Sequence, residues 1–133
     1  MKLDTHKLAW IAGFFDGEGH ITSKRGKRKK VSDGRLVYSS VLFEVSQKDP
    51  ELLYKIKDIL NVGEVYGPYY NGEKPHYRYV ISKFEHVQYA VAVLWDYLGN
   101  IKKKQAKIAL TNYVNEPRLK PGRKSRKERY IHD

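Results

Sequence analysis

Side chains alternate with a period of two residues along positions 36–47 of the chain. Val41, Phe43 and Val45 fall on one face of this stretch, and mostly polar side chains fall on the other. A strand with this pattern has one buried face and one face that is open to solvent or to a ligand. The pattern therefore predicts an antiparallel sheet that is covered on one side only.

Segments with helical periodicity flank this strand on both sides. Asp4 or Thr5 caps the first helix, Asp49 caps the second before a proline, and the capping box Ser82-Lys83-Phe84-Glu85 begins the third. Glycines end the first and third helices. The predicted helices span residues 5–16, 50–60, 82–98 and 101–113.

Two β-hairpins are predicted between these helices. Their turns lie at Asp33-Gly34 and Asn71-Gly72, which are dipeptides that favour tight turns. The order of elements is αββαββα plus a short helix. This order predicts an α+β fold, in which helices cover one face of a four-stranded antiparallel sheet and leave the other face open.

The charge of the chain points to nucleic acid. Among 133 residues, 26 Lys and Arg against 15 Asp and Glu give a formal net charge of +11, concentrated in blocks at 24–30, 102–107 and 118–129. Such blocks create a local field that captures phosphates, although a solvated loop or tail has the same composition. We predict one domain over residues 1–115 and a mobile basic tail over residues 116–133.

Several classes of protein are excluded by what the sequence lacks. Without cysteine there is no disulfide scaffold, zinc-thiolate site or thiol chemistry, and the composition fits a reducing compartment. No signal peptide or apolar stretch of membrane-spanning length is evident. The expectation is a soluble intracellular protein with no membrane partner.

The first helix combines small residues with carboxylates. Ala9, Gly13 and Gly17 recur every four residues, a ridge that suits close approach of a second helix or of the chain's own sheet. The helix then ends in Asp16-Gly17-Glu18-Gly19. Carboxylates with a nearby backbone carbonyl are the oxygen ligands that a hard cation such as Mg²⁺ requires.

The stretch IAGFFDGEG at residues 11–19 resembles the signature of the LAGLIDADG homing endonucleases, with Glu18 where the family name has aspartate. The stretch occurs once, which resembles the single-motif, homodimeric, intron-encoded branch. Residues 46–48 and 101–106 resemble two further segments around the active site of such enzymes. The resemblance spans roughly residues 5–115.

This resemblance implies a site-specific double-strand DNA endonuclease. It would use Mg²⁺ or Mn²⁺ and cut a long pseudo-palindromic site, leaving short 3′ overhangs. Glu18 matches the acidic metal ligand, Gly17 the backbone ligand, Gln47 the residue that orients water, and Lys102 the base near the scissile phosphate. The motif helix would form the dimer interface, through Ala9, Ala12, Gly13 and Asp16.

The resemblance also implies that the sheet is a saddle on double-stranded DNA, and strand parity then gives its reading face. Leu42 could contact a thymine methyl group and Glu44 could accept from cytosine N4. Ordinary solvent exposure is the alternative for any single position. The predicted DNA-binding residues are Thr22, Lys24, Arg28, Lys30, Tyr38, Ser40, Leu42, Glu44, Ser46, Glu64, Tyr66, His76, Arg78, Lys103 and Lys104.

Two other functions remain open at this point. The chain could be a non-catalytic RNA-binding protein, either an intron maturase or a ribosomal-type protein, because the charge fits RNA equally well. It could also be a DNA-binding regulator without catalysis. Glu18 together with Gln47 and Lys102 favours the nuclease, since RNA binding alone does not need a carboxylate at a dimer axis.

Overall fold

The computed structural model describes residues 3–25 and 39–115, which form four helices and four strands. The hairpin predicted at Asp33-Gly34 and the tail over residues 116–133 lie outside these ranges. The elements are α1 (Thr5–Glu18), β1 (Gly19–Arg25), β2 (Ser39–Gln47), α2 (Pro50–Leu60), β3 (Glu64–Asn71), β4 (Lys74–Ile81), α3 (Phe84–Leu94), a 3₁₀ turn (Trp95–Tyr97) and α4 (Asn100–Asn115).

The four strands form one antiparallel sheet in the order β1-β2-β4-β3. The inner strand β2 pairs with β1 through Gly19 opposite Val45, and with the other inner strand, β4, through Phe43 opposite Ile81. The predicted turn at Asn71-Gly72 joins β3 to β4. The α+β fold and the element order predicted from the sequence are therefore confirmed.

The helices pack on the face of the sheet that the period of two assigned to the core. Phe15, from α1, stacks on Phe43 of β2 with ring centroids 4.2 Å apart and planes 9° apart. Tyr79, from β4, meets the edge of Phe43 at 6.4 Å, and all three rings are fully buried. Aromatic pairs of this kind contribute beyond their buried area. They fix the C-terminal half of α1 on the centre of the sheet.

The buried hydroxyl of Tyr79 makes a hydrogen bond at the edge of the core, next to the end of α2. It donates to the carbonyl of Val62 at 2.6 Å. Burial raises the pKa of the Tyr79 phenol, so the hydroxyl stays a neutral donor. This bond ties β4 to the segment that follows α2.

The helix caps follow the predicted chemistry in two of three cases. Asp4 accepts from the amides of His6 and Lys7, and these bonds lower the pKa of its carboxyl group. Asp49 accepts from the amide of Glu51 at 2.9 Å, ahead of Pro50.

The prediction for the third helix was wrong at both ends. Lys83 is the N-cap residue and makes no side-chain capping bond, so the predicted box at residues 82–85 does not form. The helix ends at Leu94 and continues as a 3₁₀ turn, not as α-helix to Leu98. In the described part of the chain, no helix is both long and apolar enough to cross a membrane.

A substitution at Gly19 tests how closely the end of α1 packs against the Phe15 ring. A Cβ at this position would lie 2.1 Å from Cδ1 of the buried Phe15 ring. We therefore expect Gly19→Ala to lower the free energy of unfolding by about 1–3 kcal/mol in urea titrations. In a Phe15→Leu background the same methyl group meets no ring, so its cost should fall by more than half. Equal costs in both backgrounds would contradict the packing.

Candidate active site

The C-terminal end of α1 attracts cations. It presents Asp16 and Glu18 on the surface, and the last turn carries no basic residue. The amide of Gly19 donates back to Phe15, and the carbonyls that follow Phe15 have no further helical turn to donate to them. A helix C-terminus carries a partial negative charge of about half a unit. The field at this end therefore favours a positive ligand.

Asp16 joins the end of α1 to the start of α4. Both oxygens of its carboxylate accept from the amide of Gly99, at 3.1 and 3.0 Å. The carbonyl of Gly99 in turn accepts from the amide of Lys103, which makes Gly99 the N-cap residue immediately before α4. Asp16, predicted to serve the dimer interface, is thus engaged within its own chain. This contact holds the lysine-rich turn of α4 beside the motif.

The lysines of α4 point in different directions. The Nζ atom of Lys102 lies 5.9 Å from the ring centroid of Phe15, one helical turn before Glu18. Lys103 and Lys107 instead lie over Trp95, at 5.3 and 5.7 Å. Cations in the first turn of a helix oppose its dipole at a cost of about 0.3–1 kcal/mol each, which an anionic ligand would offset. Of the three, Lys102 is the one directed toward α1.

Gln47 reaches the same end of the sheet from β2. It is the last residue of the strand and lies two positions beyond Val45, the partner of Gly19. It therefore shares the helix-covered face with Val45. Its Oε1 atom accepts from the amide of Lys48 at 2.8 Å, which leaves the amide nitrogen as a donor. The ends of α1 and β2 and the start of α4 meet at this end of the sheet.

The oxygen donors at this end suit a hard divalent cation. Glu18 offers a carboxylate and Gly17 a backbone carbonyl, both exposed. Within residues 3–25 and 39–115, no group of three or more His, Cys, Asp or Glu could hold a metal. Mg²⁺ typically takes one or two carboxylates and fills its shell with water and substrate phosphate. The donor set fits Mg²⁺ or Mn²⁺ that is completed by ligands from outside one chain.

One side of α1 is exposed and lined by small residues. Ala9 and Gly13 border an open apolar groove of about 400 Å³ together with Trp10, Phe14 and Leu52. A methyl group added at Gly13 or Gly17 would meet nothing within 4 Å, so this ridge has no partner within the described part of the chain.

Ala12 lies on the side of α1 that packs into the core. It is fully buried among the core residues of its own chain. The prediction that Ala12 contacts a second chain was therefore wrong, because no surface of this residue is accessible.

The open face of the sheet carries most of the predicted nucleic-acid residues. Arg28, Lys30 and Tyr38 lie outside the described residues. Leu42, His76 and Arg78 are half-buried on this face, and Lys104 is exposed on α4. The remaining exposed positions on the sheet are Thr22, Lys24, Ser40, Ser46 and Tyr66.

The side chain of Glu64, on the edge strand β3, is directed toward α2 and not toward the open face. Its carboxylate accepts from Nζ of Lys57 at 2.9 Å, and this hydrogen bond raises the pKa of Lys57. The pair links β3 to α2 on the helix side. Glu64 is thus already paired, and a base would have to compete with Lys57 for it.

The main correction to the predictions for the open face concerns Glu44. Only 8% of this residue is exposed, and it was predicted as a free acceptor for cytosine. Its Oε1 lies 3.0 Å from Nε2 of His20, and its Oε2 is paired with Nε and Nη2 of Arg78. The prediction was wrong because neighbouring strands supply partners for both oxygens. His20 was missed, although the parity of β1 places it on the same face as Thr22.

These features define a class of protein. A helix with a ridge of small residues ends in carboxylates, next to a lysine-rich helix start and an open antiparallel sheet, which is an arrangement for metal-assisted chemistry on phosphates. The sequence profile of the LAGLIDADG endonucleases matches residues 11–115. The chain belongs to the LAGLIDADG endonuclease family.

Solved structures share this fold. The homing endonuclease I-CvuI, in complex with the I-CreI target, matches with a TM-score of 0.67 and 25% identity, over 84% of this chain and 69% of that one. I-Vdi141I, an archaeal intron-encoded homing endonuclease complexed with DNA, gives 0.66 and 23% over 84% and 71%. The homing endonuclease I-TnaI gives 0.65 and 21% over 86% and 74%.

Proposed function

We propose that this protein is a homodimeric, divalent-metal-dependent, site-specific DNA endonuclease that cuts both strands of a long pseudo-palindromic site and leaves short 3′ overhangs. The observation that carries the proposal is the junction at the end of α1. There an exposed carboxylate, Glu18, lies on a helix that Asp16 ties to the lysine-rich start of α4. Membership of the LAGLIDADG endonuclease family supports this reading.

Glu18 and the carbonyl of Gly17 would hold Mg²⁺ or Mn²⁺. When bound, the ion supplies an activated water and neutralises charge on the leaving oxygen of a phosphodiester. I-CvuI was crystallised on DNA with Mg in one structure and with Ca in another, which supports a divalent metal in this family. Glu18 stands where the family name has aspartate, and its longer side chain keeps the same oxygen donors.

Two other side chains act directly on the substrate or on water. The ammonium group of Lys102, held over Phe15 near the end of α1, stabilises negative charge that develops on the phosphate. The amide of Gln47 orients the attacking water from the end of β2. Neither role requires the residue to lose or gain a proton.

A second copy of the chain completes the site. The open ridge of Ala9, Gly13 and Gly17 allows two α1 helices to approach closely, as small residues do at helix interfaces. Each copy would bring its own Glu18 toward the two-fold axis. One carboxylate from each chain then serves one strand of the duplex, which explains why a chain with a single motif is sufficient.

The open face of the sheet lies along the major groove in this proposal. Strands and β-ribbons fit that groove, where base edges present distinct patterns of donors and acceptors. Lys24, the exposed serines of β2 and the half-buried His76 and Arg78 of β4 face the duplex, and the net charge of +11 supplies phosphate contacts. I-Vdi141I complexed with DNA is a relative of the same fold.

Glu18 gives the direct test of catalysis. A randomised duplex library is first selected for binding in Ca²⁺ and then transferred to Mg²⁺. We expect discrete double-strand cuts, and we expect Glu18→Gln to slow cleavage by at least about a hundredfold while binding in Ca²⁺ is kept. Glu85→Gln, the same change on the exposed first turn of α3, is the control and should cleave normally.

The outcome also separates the alternative functions. If the wild-type chain binds duplex DNA but no sequence is cut, the catalytic roles of Glu18, Gln47 and Lys102 are wrong. If it binds structured RNA far more tightly than duplex DNA, the chain is an RNA-binding protein of the maturase or ribosomal type.

Gly13 gives the direct test of the dimer. Gly13→Leu places a branched side chain in open space within one chain but between the two helices of a dimer. We expect the monomer to fold and the dimer dissociation constant to rise at least about tenfold, measured by sedimentation equilibrium. Gln88→Leu on the exposed face of α3 is the matched control. A dimer that tolerates Gly13→Leu would place the interface elsewhere.

A further inference from the structure

A buried carboxylate on the open face of the sheet has no place in the proposed chemistry of cleavage. Glu44 is 8% exposed although none of the helices in residues 3–25 and 39–115 covers this face. A carboxylate this far from water is costly unless both oxygens have partners. Its partners come from both neighbouring strands, His20 on β1 and Arg78 on β4. The three side chains therefore form one unit that spans the three strands β1, β2 and β4.

Glu44 fixes which edge of the Arg78 guanidinium is left for a ligand. A guanidinium carries five N–H donors in one plane. Glu44 engages the side formed by Nε and Nη2, which leaves the N–H groups of Nη1 and the outer N–H of Nη2. The ring of Tyr69 lies 5.9 Å from Cζ of Arg78 and restricts the guanidinium further. Arg78 nevertheless keeps 34% of its side chain exposed.

The free edge of Arg78 matches one base. Two parallel N–H groups on Nη1 and Nη2 are the donors that pair with O6 and N7 of guanine in the major groove. Adenine offers a donor at N6 where guanine offers O6, so the same pair of donors rejects adenine. An arginine that is already held in place loses less conformational freedom on binding and has fewer alternative partners.

The register of the sheet places this unit near the candidate active site. His20 follows Glu18 by two residues, and Arg78 pairs with Ser46, the neighbour of Gln47. The bases read by Arg78 should therefore be those closest to the scissile phosphates, not those toward the outer ends of the site.

We infer that Glu44 is a positioning residue, which holds Arg78 and His20 in place so that Arg78 selects guanine at the base pairs nearest the cleavage position. This inference rests on the proposed DNA-binding function. The sequence predicted independent base contacts for Glu44 and Arg78. In the inference, Arg78 alone contacts the base, and Glu44 acts by holding Arg78 in place.

Binding selection in Ca²⁺, where cleavage chemistry is not scored, tests this inference. The full-length chain is incubated with the randomised duplex library, and bound sequences give the base preference at each position. We expect the wild-type chain to enrich guanine at one position per half-site close to the centre. Arg78→Lys should reduce that preference about tenfold or more, because an ammonium lacks the paired donors.

Glu44→Gln should weaken the same guanine preference and leave the outer positions unchanged. Added to Arg78→Lys it should have no further effect, because Glu44 acts through Arg78. Glu85→Gln, the same change on the exposed first turn of α3, is the matched control and should change no base preference. If Glu44→Gln fails to fold, Glu44→Asp gives the same comparison, since it keeps the charge and shortens the reach toward Arg78.

Two results would overturn the inference. One is a wild-type chain that shows no guanine preference near the centre of the site. The other is a Glu44→Gln chain whose preferences are unchanged, or weakened evenly at every position as for a purely structural residue. Transfer of the selected sequences to Mg²⁺ separates the two proposals. Guanine selection without cleavage would support the role of Glu44 and Arg78 in base selection and contradict the proposed nuclease activity.

Discussion

The stack of Phe15 on Phe43 determines where the candidate chemistry lies. Because Phe15 is three residues before Glu18, burying its ring against the inner strand β2 places the end of α1 at one end of the sheet. Gly19 must lack a side chain for the chain to turn directly from this helix into β1 over that ring. The packing of the core therefore determines the position of the Glu18 carboxylate.

The two helix ends near the stack of Phe15 on Phe43 carry opposite charges. The end of α1 collects negative charge from two carboxylates and a helix dipole, which suits a cation. The start of α4 places positive charge against its own dipole, which suits a phosphate. The Asp16 bond to Gly99 holds the two ends together, so a metal and a phosphate could be bound side by side.

The sequence predicted the elements well and the side-chain environments less well. The alternation along β2 and the Asn71-Gly72 turn were sufficient for the sheet, because both are local signals. Parity assigned Glu44 to the correct face but not its burial, which depends on strands distant in sequence. Ala12 was misplaced for a similar reason: small size marks both close-packed cores and interfaces, and only the packing of the helix decides between them.

A mixed dimer tests the central claim that each strand is cut at a carboxylate from one chain. Wild-type and Glu18→Gln chains with different affinity tags are co-expressed, and the mixed dimer is purified through both tags. On a supercoiled plasmid carrying the selected site in Mg²⁺, the account predicts nicked circles that are not converted to linear DNA at the wild-type rate. Linearisation at the wild-type rate would contradict it.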